Sequence, residues 1–375
     1  MADGFGFEVV ARDGSSRARS ARLSTPHGVV KTPAFMPVGT QGTVKAVMPR
    51  TLEEIGIQMV LANAYHLYLR PTPEVVERAG GLHEFMGWRR PILTDSGGYQ
   101  VFSLKGLVEV TEEGARFRSH IDGSYHFFTP ELVIRIQEQI GADFITVLDE
   151  CAPYPSTEDY IERSVNLTLK WAERSLKAKA RGDQALFGIV QGGTFERLRR
   201  FCARRLVDMG FWGYAIGGLS VGEPRDLTFR MVEVATEELP EDRPRYLMGV
   251  GMPDEVLRAI SLGVDMFDCV LPTRMGRNGA LFTWRGRINI KQSRYADDFT
   301  PVDPDCPCYT CRNFTKAYLR HLYVSGEILS AVLNTIHNLT FYTQLVDSAR
   351  RAIERGEFME YYHSTISRLG GEYVE

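Results

Sequence analysis

Two carboxylates open the chemical reading of this chain. Asp95 follows the apolar run PILT and Asp268 follows VDMF, so each acid stands where a buried strand would deliver a side chain to its end. Two carboxyls facing each other across a substrate divide a glycosidic exchange into two displacements: one attacks the anomeric carbon, the other moves protons on the departing base. Taken singly, each has a plainer reading. Asp95 in TDSGG also suits a helix N-cap or turn, and Asp268 also suits an ion pair with Arg274. The neighbouring motifs supply what a flat ligand needs. In TDSGGYQVF, which includes Ser96, consecutive glycines let backbone amides come close and Tyr99 can stack, against the alternative of a tight turn with a core tyrosine. Asp149, beside Glu150 and Cys151, and Gln191, before Gly192-Gly193, offer hydrogen-bonding groups of the kind that read a purine edge. IGGLSVGEP presents the Gly218 amide and the Leu219 carbonyl, and Met248 and Gly249 follow RYL.

A second constellation is metal-like. Cys306, Cys308 and Cys311, with His337 26 residues after the last of them, give three sulfurs and one nitrogen, a set that completes a zinc tetrahedron with no open position. Such an ion is structural, which leaves the chemistry to the carboxylates. A disulfide within CPCYTC is the competing reading, but six cysteines in 375 residues, three of them scattered, do not describe a disulfide-stapled secreted protein.

The net charge of −3 argues against indiscriminate nucleic-acid coating, yet it hides one uneven stretch. Leu271 to Arg294 contains Arg274, Arg277, Arg285, Arg287, Lys291 and Arg294, no Asp or Glu, and an interleaved Trp284. Cations directly after Asp268 can hold phosphates while one nucleotide is extruded, with Trp284 stacking on a splayed base; a solvated hairpin face is the alternative. The start of the chain has no basic segment followed by an apolar stretch, and no apolar run approaches membrane-spanning length. A cytoplasmic protein without a membrane partner is expected.

These residues require a scaffold that brings distant segments to one rim. A unit recurs: an amphipathic helix, a Gly at its end, a short apolar run, a polar or Gly-rich turn. Thr129-Pro130 with LVIRIQEQI, Gly141 and FITVL is one copy, and PDEVLRAISL with Gly263 and VDMF is another. With VVKTPAFMPV, IQMVLA, PILT, ALFGIV, WGYAI and RYLM, eight strands alternate with helices, which predicts an α/β fold of the closed (β/α)8 barrel type. Two segments fit no repeat, GLVEVTEEGARFRSHIDGSYHFF and GALFTWRGRINI, and read as hairpin insertions. The zinc ligands follow the second, so residues 1–375 are expected to form one barrel domain with a small zinc-binding insert at about 300–340.

Taken together, TDSGGYQVFSL, FDCVLPTRMGRNG, LMGVG, GGLSVGEP and the CxCxxC with its distant His resemble bacterial tRNA-guanine transglycosylases, from about Thr32 to His337. That resemblance implies exchange of guanine at the wobble position of GUN-anticodon tRNAs for 7-aminomethyl-7-deazaguanine (preQ1), in queuosine synthesis, with a structural Zn2+ and no nucleotide cofactor. It implies Asp268 as nucleophile and Asp95 as general acid/base. Tyr99 would stack on the base, Asp149, Gln191 and the Gly218 amide would bind its edge, Leu219 would add a carbonyl, Met248 would pack on the other face, and Ser96 and Cys151 belong to the same base site. Thr273, Arg274, Met275, Gly276 and Arg277 resemble the segment reading the wobble region, Gly249 begins a second RNA-contacting loop, and Arg285, Arg287 and Lys291 extend the RNA surface. A homodimer is implied by the resemblance alone.

Cys151 and Val221 look bacterial, and the bulk of Val221 favours the aminomethyl base over one carrying a cyclopentenediol. With the sequence reaching Glu375, the further RNA-binding domain of archaeal relatives is not expected. Departures from the family pattern are Ala62, Ala64, Ser220 and Met252, the last replacing a usual Lys and weakening a phosphate contact. A noncatalytic tRNA-binding subunit would be expected to lack one carboxylate, and a zinc-dependent barrel hydrolase would need an open metal site for which only His66 is placed.

Overall fold

The computed structural model describes residues 4–103 and 108–370. Eight parallel strands close into a barrel in chain order: β1 (Ala34–Gly39), β2 (Val60–Asn63), β3 (Ile92–Asp95), β4 (Phe144–Thr146), β5 (Ala185–Val190), β6 (Gly213–Ile216), β7 (Arg245–Leu247) and β8 (Met266–Cys269), with β8 pairing back onto β1. The strands are short apolar runs buried on both faces because helices cover the outside. Local chemistry sets the helix ends. The Thr129 hydroxyl accepts from Leu132 N at 3.2 Å, Pro130 opens the helix Pro130–Ile140, and Gly141 closes it at φ 78°.

Register is what assembles the rim. β2 and β3 pair Asn63 with Asp95, β5 and β6 pair Val190 with Ile216, and β6 and β7 pair Ile216 with Leu247. Leu247 in turn opposes Phe267 on β8. Gln191, Gly217, Met248 and Asp268 therefore follow one another around the mouth, each one residue past a paired position.

Two expectations are corrected. VVKTPAFMPV is not one strand: Gly28–Thr32 joins Gly6–Arg12 and Arg19–Thr25 in an antiparallel sheet outside the barrel, and Pro33, which lacks an N–H for a ladder, separates it from β1. The first hairpin segment is a three-stranded sheet, Glu109–Val110, Ala115–Arg118 and Tyr125–Phe128; its opening Gly106-Leu107 lies outside the described residues. The second is the expected hairpin, Ala280–Thr283 with Gly286–Asn289. The cysteines come next, in the connection between β8 and the long helix Ile328–Arg355, and His337 lies on that helix itself.

The N-terminal sheet closes the bottom of the barrel. Phe5 meets Phe144 at 5.4 Å and Trp212 at 5.6 Å between centroids, both edge-on. Arg19, wholly buried, forks onto Asp265 at 2.9 and 2.6 Å, and Asp265 also accepts Arg245 N at 2.7 Å. Arg19→Ala strands this carboxylate, and urea denaturation should show a loss of about 3–5 kcal/mol. A change under about 1 kcal/mol would mean that the pair is not what fixes the sheet to the barrel.

Candidate active site and metal centre

Asp95 ends β3 with its carboxylate held by Asn63 Nδ2 at 2.6 Å, Ala64 N at 3.3 Å and Gln100 Nε2 at 3.5 Å. Asp268, on β8, accepts the Tyr246 phenol at 2.6 Å and Gly249 N at 2.9 Å. The ion-pair reading of Asp268 is not met: among the described residues it pairs with neither Arg274 nor any other cation. The two acids act on each other electrostatically. Burial and then the charge of Asp268 push Asp95 up to about 7, and both carboxylates help to hold the buried Tyr246 phenol in its neutral form. Asp268 is also raised by burial, against the pull of the Tyr246 and Gly249 hydrogen bonds. A carboxyl near 7 is suited to giving and taking a proton at neutral pH.

Beside the acids lies a second group of polar residues. Gln191 Nε2 donates to Asp149 Oδ2 at 2.6 Å, and burial pushes Asp149 up to about 6, opposed by its hydrogen bonds to Gln191 and Ser96. Glycine is required here. A Cβ on Gly98 would sit 2.7 Å from Asp149 Oδ1, and one on Gly218, at φ 63°, only 2.1 Å from Gln191 Oε1. Met248 approaches from β7, its sulfur 3.5 Å from where a Gly217 Cβ would stand, while Leu219 is buried and Cys151 partly so. Ser220 takes φ 57°, an uncommon conformation for a residue with a Cβ. The Glu223 carboxylate braces that turn by accepting Ser220 N and Val221 N. Tyr99 stands exposed on the helix Gly98–Ser103.

The cationic stretch divides. Arg274, Arg285, Arg287 and Lys291 are exposed and Arg277 half-buried, and none has an ion-pair partner among the described residues. Thr273 and Gly276 turn inward: the Thr273 hydroxyl donates to Val270 O at 3.2 Å, and a Cβ on Gly276 would meet Thr335 N at 3.0 Å. Met275 is partly buried and Gly249 is exposed. Trp284 is not a free stacking platform, because its ring packs on Phe341 at 5.0 Å with Arg368 5.4 Å above it. Met252 is buried with the barrel core.

Cys306, Cys308, Cys311 and His337 converge in a buried cluster whose ligand atoms lie within 4.8 Å of one another. His337 Nδ1 is 3.7 Å from Cys308 Sγ and 3.2 Å from Cys311 Sγ, bracketing the roughly 3.6 Å edge of a tetrahedron built on ordinary Zn–S and Zn–N bonds. The other ring nitrogen, Nε2, is 2.7 Å from Phe282 O, an outer contact that fixes which nitrogen faces an ion. Donor type and spacing fit a closed structural metal. His27, His83 and Asp143 also cluster, but their imidazoles stack at 3.6 Å with planes 13° apart, so the in-plane lone pairs do not converge on one point. The two rings instead bond one carboxylate, at 2.8 and 3.1 Å.

Sequence reasoning passed over Asn63, Tyr246 and Glu223. Tyr246 had a signal, since it shares a strand face with Met248 two residues on, and Asn63 stands opposite Asp95 only once the register is known.

A parallel barrel that brings two raised acids and a group of hydrogen-bonding side chains to one mouth is an arrangement suited to group transfer. The chain belongs to the queuine tRNA-ribosyltransferase family, whose model matches residues 13–370. It is 56% identical to the queuine tRNA-ribosyltransferase of Caldanaerobacter subterraneus subsp. tengcongensis, over 98% of this chain and 99% of that one. It is 55% identical to that of Thermoanaerobacter pseudethanolicus, over 97% of both, and 53% identical to that of Aquifex aeolicus, over 97% and 99%. The chain is a pentosyltransferase of that family. Among the described residues no helix is long and apolar enough to cross a membrane.

Proposed function

We propose that this enzyme exchanges guanine at the wobble position of GUN-anticodon tRNAs for 7-aminomethyl-7-deazaguanine. Asp268 attacks the ribose C1′, the C1′–N9 bond breaks with its electron pair leaving on guanine, and Asp95 supplies the proton. The incoming base then loses its N9 proton to Asp95 and attacks C1′, and the Asp268–ribose bond breaks. The observation that carries this reading is the shared electrostatics of Asp95 and Asp268 around one buried phenol. Asp149, Gln191, Ser96 and the Gly218 amide suit the edge of the base, Met248 one face and Tyr99 the other, with the Leu219 carbonyl and Cys151 at its border. Val221 and Glu223 line a small cavity together with Gly218, and the bulk of Val221 there supports a small substituent over a cyclopentenediol. Incubation with unmodified tRNA and radiolabelled guanine should label the RNA; RNA that stays unlabelled would remove the proposal.

The uncommitted cations support an anticodon-loop surface of Arg274, Arg277, Arg285, Arg287 and Lys291, with Gly249 and Met275 beside it and Thr273 and Gly276 holding its backbone. Arg274→Ala should raise the KM for tRNA and lower the salt slope of binding by about one unit. An unchanged slope would exclude a phosphate contact. For the insert, zinc at the Cys3His cluster supplies cross-linking and no chemistry. Chelation should unfold it and weaken tRNA binding, with little loss of kcat at saturating tRNA; lost turnover at unchanged affinity would contradict a structural metal. A second copy of the chain is the partner we assign to the exposed apolar side chains Tyr318, Val324, Ile328 and Leu329. Sedimentation showing a monomer at assay concentration would exclude it. A cytoplasmic site of action follows from the tRNA substrate.

A further inference from the structure

Arg199 is fully buried in the first turns of the helix Glu196–Met209, and among the described residues no carboxylate lies within ion-pair distance of it. Its guanidinium is spent on backbone carbonyls: Gly193 O at 2.7 and 3.2 Å, Gly217 O at 3.1 Å and Val190 O at 3.4 Å. The chain is shaped to allow this. Gly192 takes φ 144°, and a Cβ there would meet Arg199 N at 2.6 Å. Burying an unpaired cation is costly, and an apolar side chain of similar length would fill the space without that cost. Burial lowers the group to about 10, so the charge persists at neutral pH.

The place of that charge is specific. Gly217 C=O and Gly218 N–H belong to one trans peptide unit, so the guanidinium grips the carbonyl side of the peptide and the N–H points the opposite way, as the proposed base site requires. A cation on the carbonyl withdraws electron density from the amide and makes its N–H a stronger donor, as linked hydrogen bonds polarise one another in a low-dielectric interior. Val190 O and Gly193 O flank Gln191, so the same fork also fixes that carboxamide's strand end.

We propose that Arg199 is a positioning residue that polarises the Gly217–Gly218 peptide to stabilise the negative charge that develops on the departing base. This rests on the base site proposed above. The charge matters most as the glycosidic bond breaks, because a fixed donor strengthened from behind binds the anionic leaving group better than the neutral purine. Arg199 touches neither substrate nor reacting atoms and acts through the peptide alone.

Arg199→Met removes the charge at similar length, and Arg199→Lys retains it. With folding checked by thermal melting, Arg199→Met is expected to lower kcat about ten- to a hundredfold and raise the KM for the base, with the KM for tRNA unchanged. Arg199→Lys is expected to recover kcat to within about fivefold of wild type. Wild-type kcat in Arg199→Met, or equal losses in both folded variants, would overturn the assignment. Should the Met variant not fold, Arg199→Gln, neutral and still a donor to the same carbonyls, takes its place: a kcat loss that Arg199→Lys does not share supports the proposal, and wild-type kcat overturns it. Gln191→Ala, assayed in parallel, separates the two levels. If it leaves the base KM unchanged, the base site itself is misplaced; if it raises that KM while Arg199→Met does nothing, only the role of Arg199 fails.

Discussion

Asp268→Asn is expected to abolish base exchange, by roughly four orders of magnitude or more, while tRNA affinity stays within about twofold. The amide preserves the shape of the carboxylate and still accepts the Tyr246 phenol and Gly249 N, so the mouth keeps its form. What it loses is the anionic oxygen proposed to attack C1′. Denaturing electrophoresis should show an RNA–protein adduct with the wild type and none with the variant, and an adduct trapped by Asp268→Asn would assign the nucleophile elsewhere. The same substitution takes a negative charge from beside Asp95, one of the causes of that group's upward shift, so Asp95 should then titrate at lower pH.

The second large effect concerns Asp95, whose pKa of about 7 should appear as a limb in the pH profile of kcat/KM. Asp95→Asn should lower kcat by about 10²–10⁴-fold and remove that limb. Asn63→Ala withdraws a hydrogen bond that favours the ionised form and should move the limb to higher pH. A limb unmoved by either change would belong to another group. Stability should respond in the opposite sense to activity. A carboxyl raised from 3.8 to about 7 on folding imposes a penalty that is fully present above the folded value, falls as the pH drops through it and vanishes below the unfolded one. Asp95→Asn should therefore melt higher than wild type at pH 8, and the difference should shrink towards pH 4. A lower melting temperature at pH 8 would mean that the carboxylate contributes more in contacts than burial costs it.

The barrel was legible because its evidence is periodic and local: apolar runs of strand length, helices bounded by Thr-Pro and Gly, and a polar or Gly residue after successive strands. The metal cluster was legible from donor type and spacing, although His337 comes from a helix that also packs against Gly276. The N-terminal sheet was not legible. Its anchor joins residues 246 apart in sequence, and nothing local marks Arg19 as the partner of Asp265. Arg199 was hidden for a different reason. In ERLRRFCARR it resembles the solvated arginines around it, four of the five in that helix being surface cations, and only the close turn at Gly192 turns this one inward. Trp284 erred the other way: beside cations it suggested an aromatic shelf for a nucleobase, whereas Phe341, 57 residues later, claims its face.

The aromatic plug formed by Phe5, Phe144 and Trp212 has a consequence for traffic. It shuts the lower end of the barrel, so in the proposed covalent exchange the outgoing purine and its replacement would share the upper doorway, with the tethered polynucleotide standing in it. That exchange would then proceed in strict turns, with the first base clear of the threshold before the second enters.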